Sequence, residues 1–414
     1  KITKKLENIA KNASIIYAHK EIVDIELRIE DLKKKFRQTS KTNVLELWVK
    51  ETDFKKTVAG IKEKCPTAII RTGGEEKGDK PPTFMRNPIR SDCYEKLVRA
   101  YGLPNYRELD PTIIMFISFP IIFGLMFADI GHGLILLIGG LVVNQVFDKF
   151  NIKGGFWHYL QEARVLIIGC GIAAIFFGFL FGDFFGATYA ANIHTPNWYT
   201  MITGISSPPW FSPFDFPSGP IRLLKIAIII GIMHITFGIV ISLYNKLRNK
   251  KYRESIAPAS WLWFYGSLSY LILNWGLRIG EVILNPTILM GLLIIPFIGM
   301  IVLHWVSGKT FMDAFSEGVT KGIESLSNTV SYGRIMALGM VHAVFSEMAI
   351  MGQGPMQMGT MLIVTLFLIL ALEGILTFAH TLRLHWVEWF SKFYEGDGIP
   401  FEDFTIRRRF TKVV

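Results

Sequence analysis

Arginine is costly inside apolar helices, and this chain has two in such surroundings: Arg334, in Ser331-Tyr332-Gly333-Arg334-Ile335-Met336-Ala337-Leu338-Gly339, and Arg383, in His380-Thr381-Leu382-Arg383-Leu384-His385-Trp386. A charge at bilayer depth costs about 3 kcal/mol even on lenient scales, so such residues face a bundle interior or a water-filled path. Around Arg383 the polar residues fall in helical register. Glu373 and His380 are seven apart, about 20° from eclipsed, with Thr377 between them and Arg383 one turn on, which makes a polar stripe about 15 Å long. Glu324 and Asn328 lie one turn apart ahead of Arg334, while His342 and Glu347 follow it. Two interrupted polar tracks meeting at a fixed cation suit an ion path made of two half-channels. Guanidinium does not deprotonate in proteins, so it blocks a continuous leak instead of relaying a proton, and it favours the charged form of any carboxylate brought beside it. The alternative is that the two arginines merely snorkel or pair with Glu373.

Other candidates carry less chemistry. Asp129-Ile130-Gly131-His132-Gly133 has a carboxylate and an imidazole, both metal ligands, yet no second cluster in the sequence completes a site. It reads as a helix-breaking polar turn in or beside the ion path, or as a purely structural turn; no metal and no cofactor are expected. His380, His385 and Glu388 fail as a zinc-protease motif, which needs two histidines four apart with a Glu between them. His380 is either a water-path residue or a satisfied buried histidine. Asp183 is as well read as an interfacial cap as a channel residue. Gly333, Ala337, Gly339 and Ala343 make a small-residue face that suits tight helix packing or approach to a moving partner. The late methionines Met348, Met351, Met356, Met358 and Met361 read as adaptable apolar filler and not as soft-metal ligands. Ser307-Gly308-Lys309-Thr310 has only the end of a phosphate-binding loop, and no nucleophile and base pair stands out, so the chain is not expected to be an enzyme.

The elements that must position these groups are membrane helices. Of 414 residues, 50% are hydrophobic and 19% charged, with mean hydropathy +0.35; an ordinary soluble domain carries about 25% charge. The first 110 residues hold 24 Lys/Arg and 17 Asp/Glu, about half of all charges. A charged head therefore precedes a membrane-embedded body. The net charge of +10 is spread over the head, one short loop and the tail, which fits positive-inside loading and not nucleic acid. Cys65, Cys93 and Cys170 are too few and scattered for a disulfide framework or a thiolate metal site. The opening at Lys1, without Met or a signal segment, reads as the start of a fragment of a longer sequence.

Within the head, residues 1–41 pattern as a coiled-coil-like helical arm, and 43–71 reads as strand, helix, strand before the loop Gly73 to Gly78. A further short helix is expected between Pro81 and Pro104. After Pro111, apolar runs near the roughly 20 residues needed to cross a bilayer fall at 112–127, 130–147, 164–185, 221–244, 258–276, 287–306, 320–350 and 359–388. The fold class expected is thus a mainly α-helical polytopic membrane protein of eight membrane segments, the last two long and tilted, with a small α/β cytosolic domain (43–108) and a helical arm (1–41). Residues 1–110 form the head, 111–390 the membrane domain in the lipid bilayer and 391–414 a cytoplasmic tail. Lys246, Arg248, Lys250, Lys251, Arg253 and Arg407 to Arg409 mark the cytoplasmic face. Both termini then lie in the cytoplasm, and the almost uncharged loop 187–220 lies outside.

Several long motifs, in order, carry a resemblance: Phe119–Gly133 (FPIIFGLMFADIGHG), Asn328–Tyr332 (NTVSY), Ala337–Ala343 (ALGMVHA), Leu372–Gly374 (LEG), Leu382–Glu388 (LRLHWVE) and Ser391–Gly396 (SKFYEG). Together with Pro81-Pro82-Thr83 and Tyr101-Gly102-Leu103-Pro104, these resemble the membrane-embedded subunit a, or subunit I, of V-type and A-type rotary ATPases over about 43 to 404. The resemblance implies a non-catalytic stator that passes H+, or in some members Na+, along a rotating ring of proteolipid subunits, with peripheral and central stalk subunits as further partners and ATP chemistry on other chains. It implies that Arg334 and Arg383 face the ring carboxylate. Glu324 and Asn328 then belong to the cytoplasmic half-channel, His342, Glu373 and Asp129 to the opposite side, and Glu388 lies near the second arginine. Gly333 and Met336 replace bulkier apolar residues common around the first arginine, and Ala128 stands where Gly is usual. The head is much shorter than the family's two-lobed domain: 43–108 looks like the membrane-proximal lobe and 1–41 like one arm of the hairpin. The runner-up is a self-sufficient secondary ion transporter, a class that tends to show paired internal repeats; the arginine-bearing segments have no second copy here.

Overall fold

The computed structural model describes residues 2–34, 36–38, 42–74, 79–88, 91–150, 156–185, 211, 217–276, 285–350, 359, 363–402, 408 and 411. Glu75 to Gly78, most of the 187–220 loop, Arg407, Arg409, the side chain of Glu347, and Met351, Met356, Met358 and Met361 lie outside the described residues.

Two units divide the chain, one of residues 1–84 with 399–414 and one of 85–398. In the first, α1 (Ile2–Lys34) is a single long helix whose Ile15, Ile16, Ile22 and Leu27 are exposed. Glu21 accepts hydrogen bonds from the backbone N–H and hydroxyl of Thr411 at 2.8 and 3.0 Å. The expected strand–helix–strand is only partly present. α2 (Phe54–Lys64) is there, but the paired strands among the described residues of this unit are β1 (Arg37–Gln38) and β2 (Asn43–Val44), and Thr67 to Arg71 forms no strand. A strand requires a neighbour for its backbone groups and a covered face, whereas Leu47, Trp48, Val49 and Ile69 stay exposed. Thr83 instead bonds the returning chain, donating to Ile399 O at 2.8 Å and accepting from Phe401 N–H at 3.1 Å. Lys50 Nζ lies 3.8 Å from the Phe84 ring centre.

The second unit begins with the amphipathic helix α3 (Asp92–Tyr101), which buries Tyr94 and Val98. α4 (Thr112–Met126) and α5 (Ile130–Phe150) follow, broken at Phe127 to Asp129. Next come α6 (Phe156–Glu162), α7 (Arg164–Phe181), α8 (Ser218–Arg248), α9 (Tyr252–Trp275) and α10 (Pro286–Val306). α11 (Phe311–Ser331) and α12 (Gly333–Ile350) meet at Tyr332, and α13 covers 364–392. Among the described residues five helices are long and apolar enough to cross a membrane: Arg164–Phe181, Ser218–Arg248, Tyr252–Trp275, Pro286–Val306 and Phe367–Lys392; Thr112–Met126 and Ile130–Val143 are shorter apolar helices. The run 320–350, expected as one span, is two helices. Tyr332 interrupts it because its ring is held by another helix, as described below.

Polarity is inverted relative to a soluble domain. Ile113, Ile117, Phe176, Met233 and Phe237 face outward, while Asp129, His132, His234, His342, Glu373, His385 and Glu388 are buried. α7 packs on α4 and α5, α8 on α9 and α12, α10 on α9 and α11, and α12 on α4 and α13. α13 is not regular. Val364–Glu373 and Leu384–Trp389 have wide turns with i→i+5 bonding, on either side of an α-helical Gly374–Arg383. Such widened turns are frequent at functional sites, and here one ends at Glu373 and the other contains Glu388.

Past α13 the chain folds back on the loop after α3. Tyr394 OH donates to Gly102 O at 2.8 Å, Gly398 N–H to Leu103 O at 2.9 Å and Glu395 N–H to Glu108 at 3.0 Å. A Cβ on Gly102 would sit 2.7 Å from Gly396 O, so the close backbone approach requires glycine at 102, while Gly396 meets it with a left-handed backbone at φ +71°. Burial pushes the Glu108 carboxyl above its ordinary range.

Candidate functional site

Arg334 is placed by the interruption between α11 and α12. The Tyr332 ring is buried, and its hydroxyl shares a 2.7 Å hydrogen bond with His234 Nδ1 of α8. Gly231, one turn before His234, makes room for it: a Cβ there would lie 2.5 Å from the tyrosine ring. His234 in turn stacks on Trp389 at 4.7 Å between ring centres. With Tyr332 so held, Arg334 emerges in the first turn of α12. Its Nη1 donates to Glu388 Oε1 at 2.9 Å and its Nη2 lies 3.5 Å from Ser331 Oγ. The Glu388 side chain is 2% exposed and that of Arg334 23%; Glu388 Oε2 has no hydrogen-bond partner. Glu388, expected near the second arginine, thus pairs with the first, because Arg383 lies on the exposed flank of α13 while Glu388 is on the buried one. A groove of about 590 Å³, lined by Ile323, Leu326, Ser327, Val330, Ser331 and Arg334, runs along α11 to the guanidinium.

On the α11 side of Arg334, Glu324 is held by two lysines. It pairs with Lys392 and accepts from Lys321 Nζ at 3.1 Å. Lys321 Nζ also lies 4.1 Å from the Trp261 ring centre, whose indole N–H donates to Ser325 Oγ at 2.8 Å. Asn328, one turn from Glu324, is buried and its Nδ2 has no hydrogen-bond partner. Lys392 escaped sequence reasoning because a lysine at the end of an apolar run reads as an interfacial anchor.

On the other side, about 12 Å along α12 at 1.5 Å per residue, His342 joins two elements. Its Nδ1 donates to Glu373 Oε1 at 2.9 Å, and its Nε2 lies 3.9 Å from Asp129 Oδ2. Asp129 caps α5, its Oδ1 accepting from the His132 backbone N–H at 2.9 Å, and its Oδ2 lies 3.0 Å from His132 Nδ1. All four side chains are buried. Gly178 lets α7 approach them: a Cβ there would lie 2.5 Å from Ile130 N. The pairing of an arginine with Glu373 does not occur, since that carboxylate is directed to His342. Nor do Glu373, Thr377, His380 and Arg383 share one stripe. The buried line of α13 runs from Glu373 and Thr377 through Thr381 and His385 to Glu388, leaving His380 half-buried and Arg383 exposed. Thr377 and Thr381 turn by about +40° per step of four at 100° per residue, while Arg383 turns the opposite way.

Residues 2–204 and 308–406 match the V-type ATPase 116kDa subunit family. The chain belongs to that family. It is 24% identical over 407 residues to the A-type ATP synthase subunit I of Methanothermobacter thermautotrophicus, covering 95% of this chain and 56% of that protein. Against the A-type ATP synthase subunit I of Pyrococcus horikoshii the identity is 27%, over 95% of this chain and 58% of the relative. Against the V-type proton ATPase 116 kDa subunit a 3 of Caenorhabditis elegans it is 24%, over 91% and 62%. The chain therefore spans about three fifths of the length of these relatives. The family match begins in α1, earlier than the motifs indicate, and leaves out 205–307. As a subunit a/I family member it is an integral membrane subunit. His234, on a helix outside the matched residues, and Tyr332, at the break between two helices within them, together frame Arg334; the sequence marked Tyr332 only as part of a motif and not His234, for which a lone histidine deep in an apolar span was the available signal.

Proposed function

We propose that this chain is the ion-translocating stator of a V/A-type rotary ATPase, forming two half-channels against a rotating ring of proteolipid subunits and coupling H+ or Na+ movement to ATP hydrolysis or synthesis on other subunits. The observation that carries this reading is the position of Arg334, which opens on a groove between two separate polar clusters, Glu324–Asn328–Lys392 on one side and Asp129–His342–Glu373 on the other. A carboxylate carried by the ring into the groove would meet the guanidinium, lose its hold on a proton or Na+ and pass it to one cluster; after rotation it would be recharged from the other. Guanidinium has five donors in a fixed fork, so Nη1 holds Glu388 while the remaining donors receive the ring carboxylate. Because it never gives up its own proton, the two clusters do not short-circuit. Arg383, exposed on α13, offers a second positive charge to the passing ring, and His380 lies near that face as a water-path residue.

In this assignment 1–110 is part of a cytosolic head that meets the stalk subunits, 111–390 is the membrane domain with eight segments, and both termini are cytoplasmic. Glu324 then serves the cytoplasmic side and Glu373 the outer one. Cysteines placed at 324 and 373 should be labelled by impermeant reagents from opposite faces; labelling of both from one face would sink the two-track scheme. Mass spectrometry of the gently solubilised complex should find the proteolipid ring, and the isolated chain should lack ATPase activity. A lone chain that moves a solute in liposomes would instead make it a self-sufficient transporter.

A further inference from the structure

The turn Asp129-Ile130-Gly131-His132 supplies two metal-ligand side chains, and the tertiary structure adds a third from α12. One ligand atom each of Asp129, His132 and His342 lies within 4.8 Å of the others. We propose that these three residues form a binding site for a divalent transition-metal ion of the zinc type, with Glu373 as the outer partner of His342.

Three features support it. First, His132 is 1% exposed, its Nδ1 lies 3.0 Å from Asp129 Oδ2, and its Nε2 has no hydrogen-bond partner among the described residues, a buried polar atom that ligation would satisfy. Second, the Glu373 carboxylate accepts from His342 Nδ1, and Nε2 faces Asp129 Oδ2, 3.9 Å away, where a bound ion would take the place of a proton between them. Metal-bound histidines almost always donate their other ring N–H to such a carboxylate or carbonyl. Two ligands each about 2.1 Å from a tetrahedral zinc lie about 3.4 Å apart, so the pair would close by about half an ångström. Third, the His132 backbone N–H fixes Asp129 Oδ1, which turns Oδ2 toward both imidazoles, 3.0 Å from His132 Nδ1 and 3.9 Å from His342 Nε2. Two imidazoles and one carboxylate suit zinc better than calcium or magnesium, which favour all-oxygen shells, and a three-ligand set leaves a fourth position open.

Binding rests on this geometry alone. Its consequence for transport rests on the proposed function: an ion held by Asp129 and His342 would immobilise the groups through which the outer cluster exchanges its cargo, and zinc would inhibit ATP-driven flux. The test uses the purified, reconstituted rotary complex exposed to zinc chloride and freed of loose metal. Elemental analysis should find one zinc per copy of this chain more in the wild type than in His132→Gln. X-ray absorption at the zinc edge of the wild type, which needs no variant, should show histidine nitrogens at about 2.0 Å. Equal zinc in both proteins, or an absorption spectrum without imidazole, would overturn the site. His132→Gln should also need at least tenfold more zinc for half-inhibition of flux. Zinc bound with histidine ligation but without effect on flux would uphold the site and count against the outer cluster as part of the ion path.

Discussion

Replacing Arg334 by Met removes the only hydrogen bond that the Glu388 carboxylate makes among the described residues; the group is 2% exposed, and its second oxygen has no partner among them. Breaking a buried pair from one side costs about 3–5 kcal/mol, because a charge is left uncompensated, whereas replacing both partners by apolar groups of similar volume is close to neutral. Arg334→Met should therefore lower the stability of the assembled subunit by about 3 kcal/mol, reduced from the upper end because Arg334 itself is 23% exposed. Arg334→Met/Glu388→Met should recover at least about half of that loss. Transport should not recover. The double variant has no fixed cation in the groove along α11, so ATP-driven ion flux into vesicles should be lost in both variants although the complex assembles. Unfolding in detergent followed by intrinsic fluorescence measures the stability arm, and a dye-quench flux assay on reconstituted vesicles the other. Normal coupled flux in the correctly assembled double variant would refute the role of the guanidinium. Equal destabilisation of the single and double variants would refute the account of Glu388 as a buried charge dependent on it.

Further consequences follow from other parts of the molecule. His234→Phe leaves the buried Tyr332 hydroxyl without its partner, a cost of about 1–3 kcal/mol. It should slow flux by loosening the placement of Arg334, and unchanged flux and stability together would show that the Tyr332 anchor is dispensable. Gly102→Ala forces a Cβ to 2.7 Å from Gly396 O and should destabilise by about 1–3 kcal/mol, with earlier proteolytic cleavage in the 394–398 segment as the readout. In the native protein a maleimide should modify exposed Cys65 first and leave buried Cys170 intact. Cys93, whose thiol burial pushes up to about 11, should react slowly at neutral pH and about tenfold faster per pH unit towards that value; a rate independent of pH between 7 and 9 would contradict its buried setting.

The sequence by itself determined the class of the molecule, because hydropathy and charge act locally: long apolar runs, a charged head and two arginines within apolar sequence need no knowledge of what lies opposite. It also marked Glu324, Asn328, Asp129, His342 and Glu373 as polar groups out of place in such runs. Only the tertiary structure decided their partners. Glu388 belongs to Arg334 and Glu373 to His342 because the side of α13 packed on α4 and α12 carries Thr377, Thr381 and Glu388 on one flank of Glu373 while Arg383 turns to the other, and which flank is packed is not written in the sequence of α13. The run 320–350 reads as one helix until His234 and Gly231, about a hundred residues earlier, hold Tyr332 and divide it. His342 completes the Asp129–His132 pair by the packing of α12 against the α4 end of that turn. Strand pairing at 67–71 failed for the same reason that these pairings were invisible: backbone ladders and buried ion pairs depend on a neighbour distant in sequence, and a single chain's local pattern records what must be covered, not what covers it.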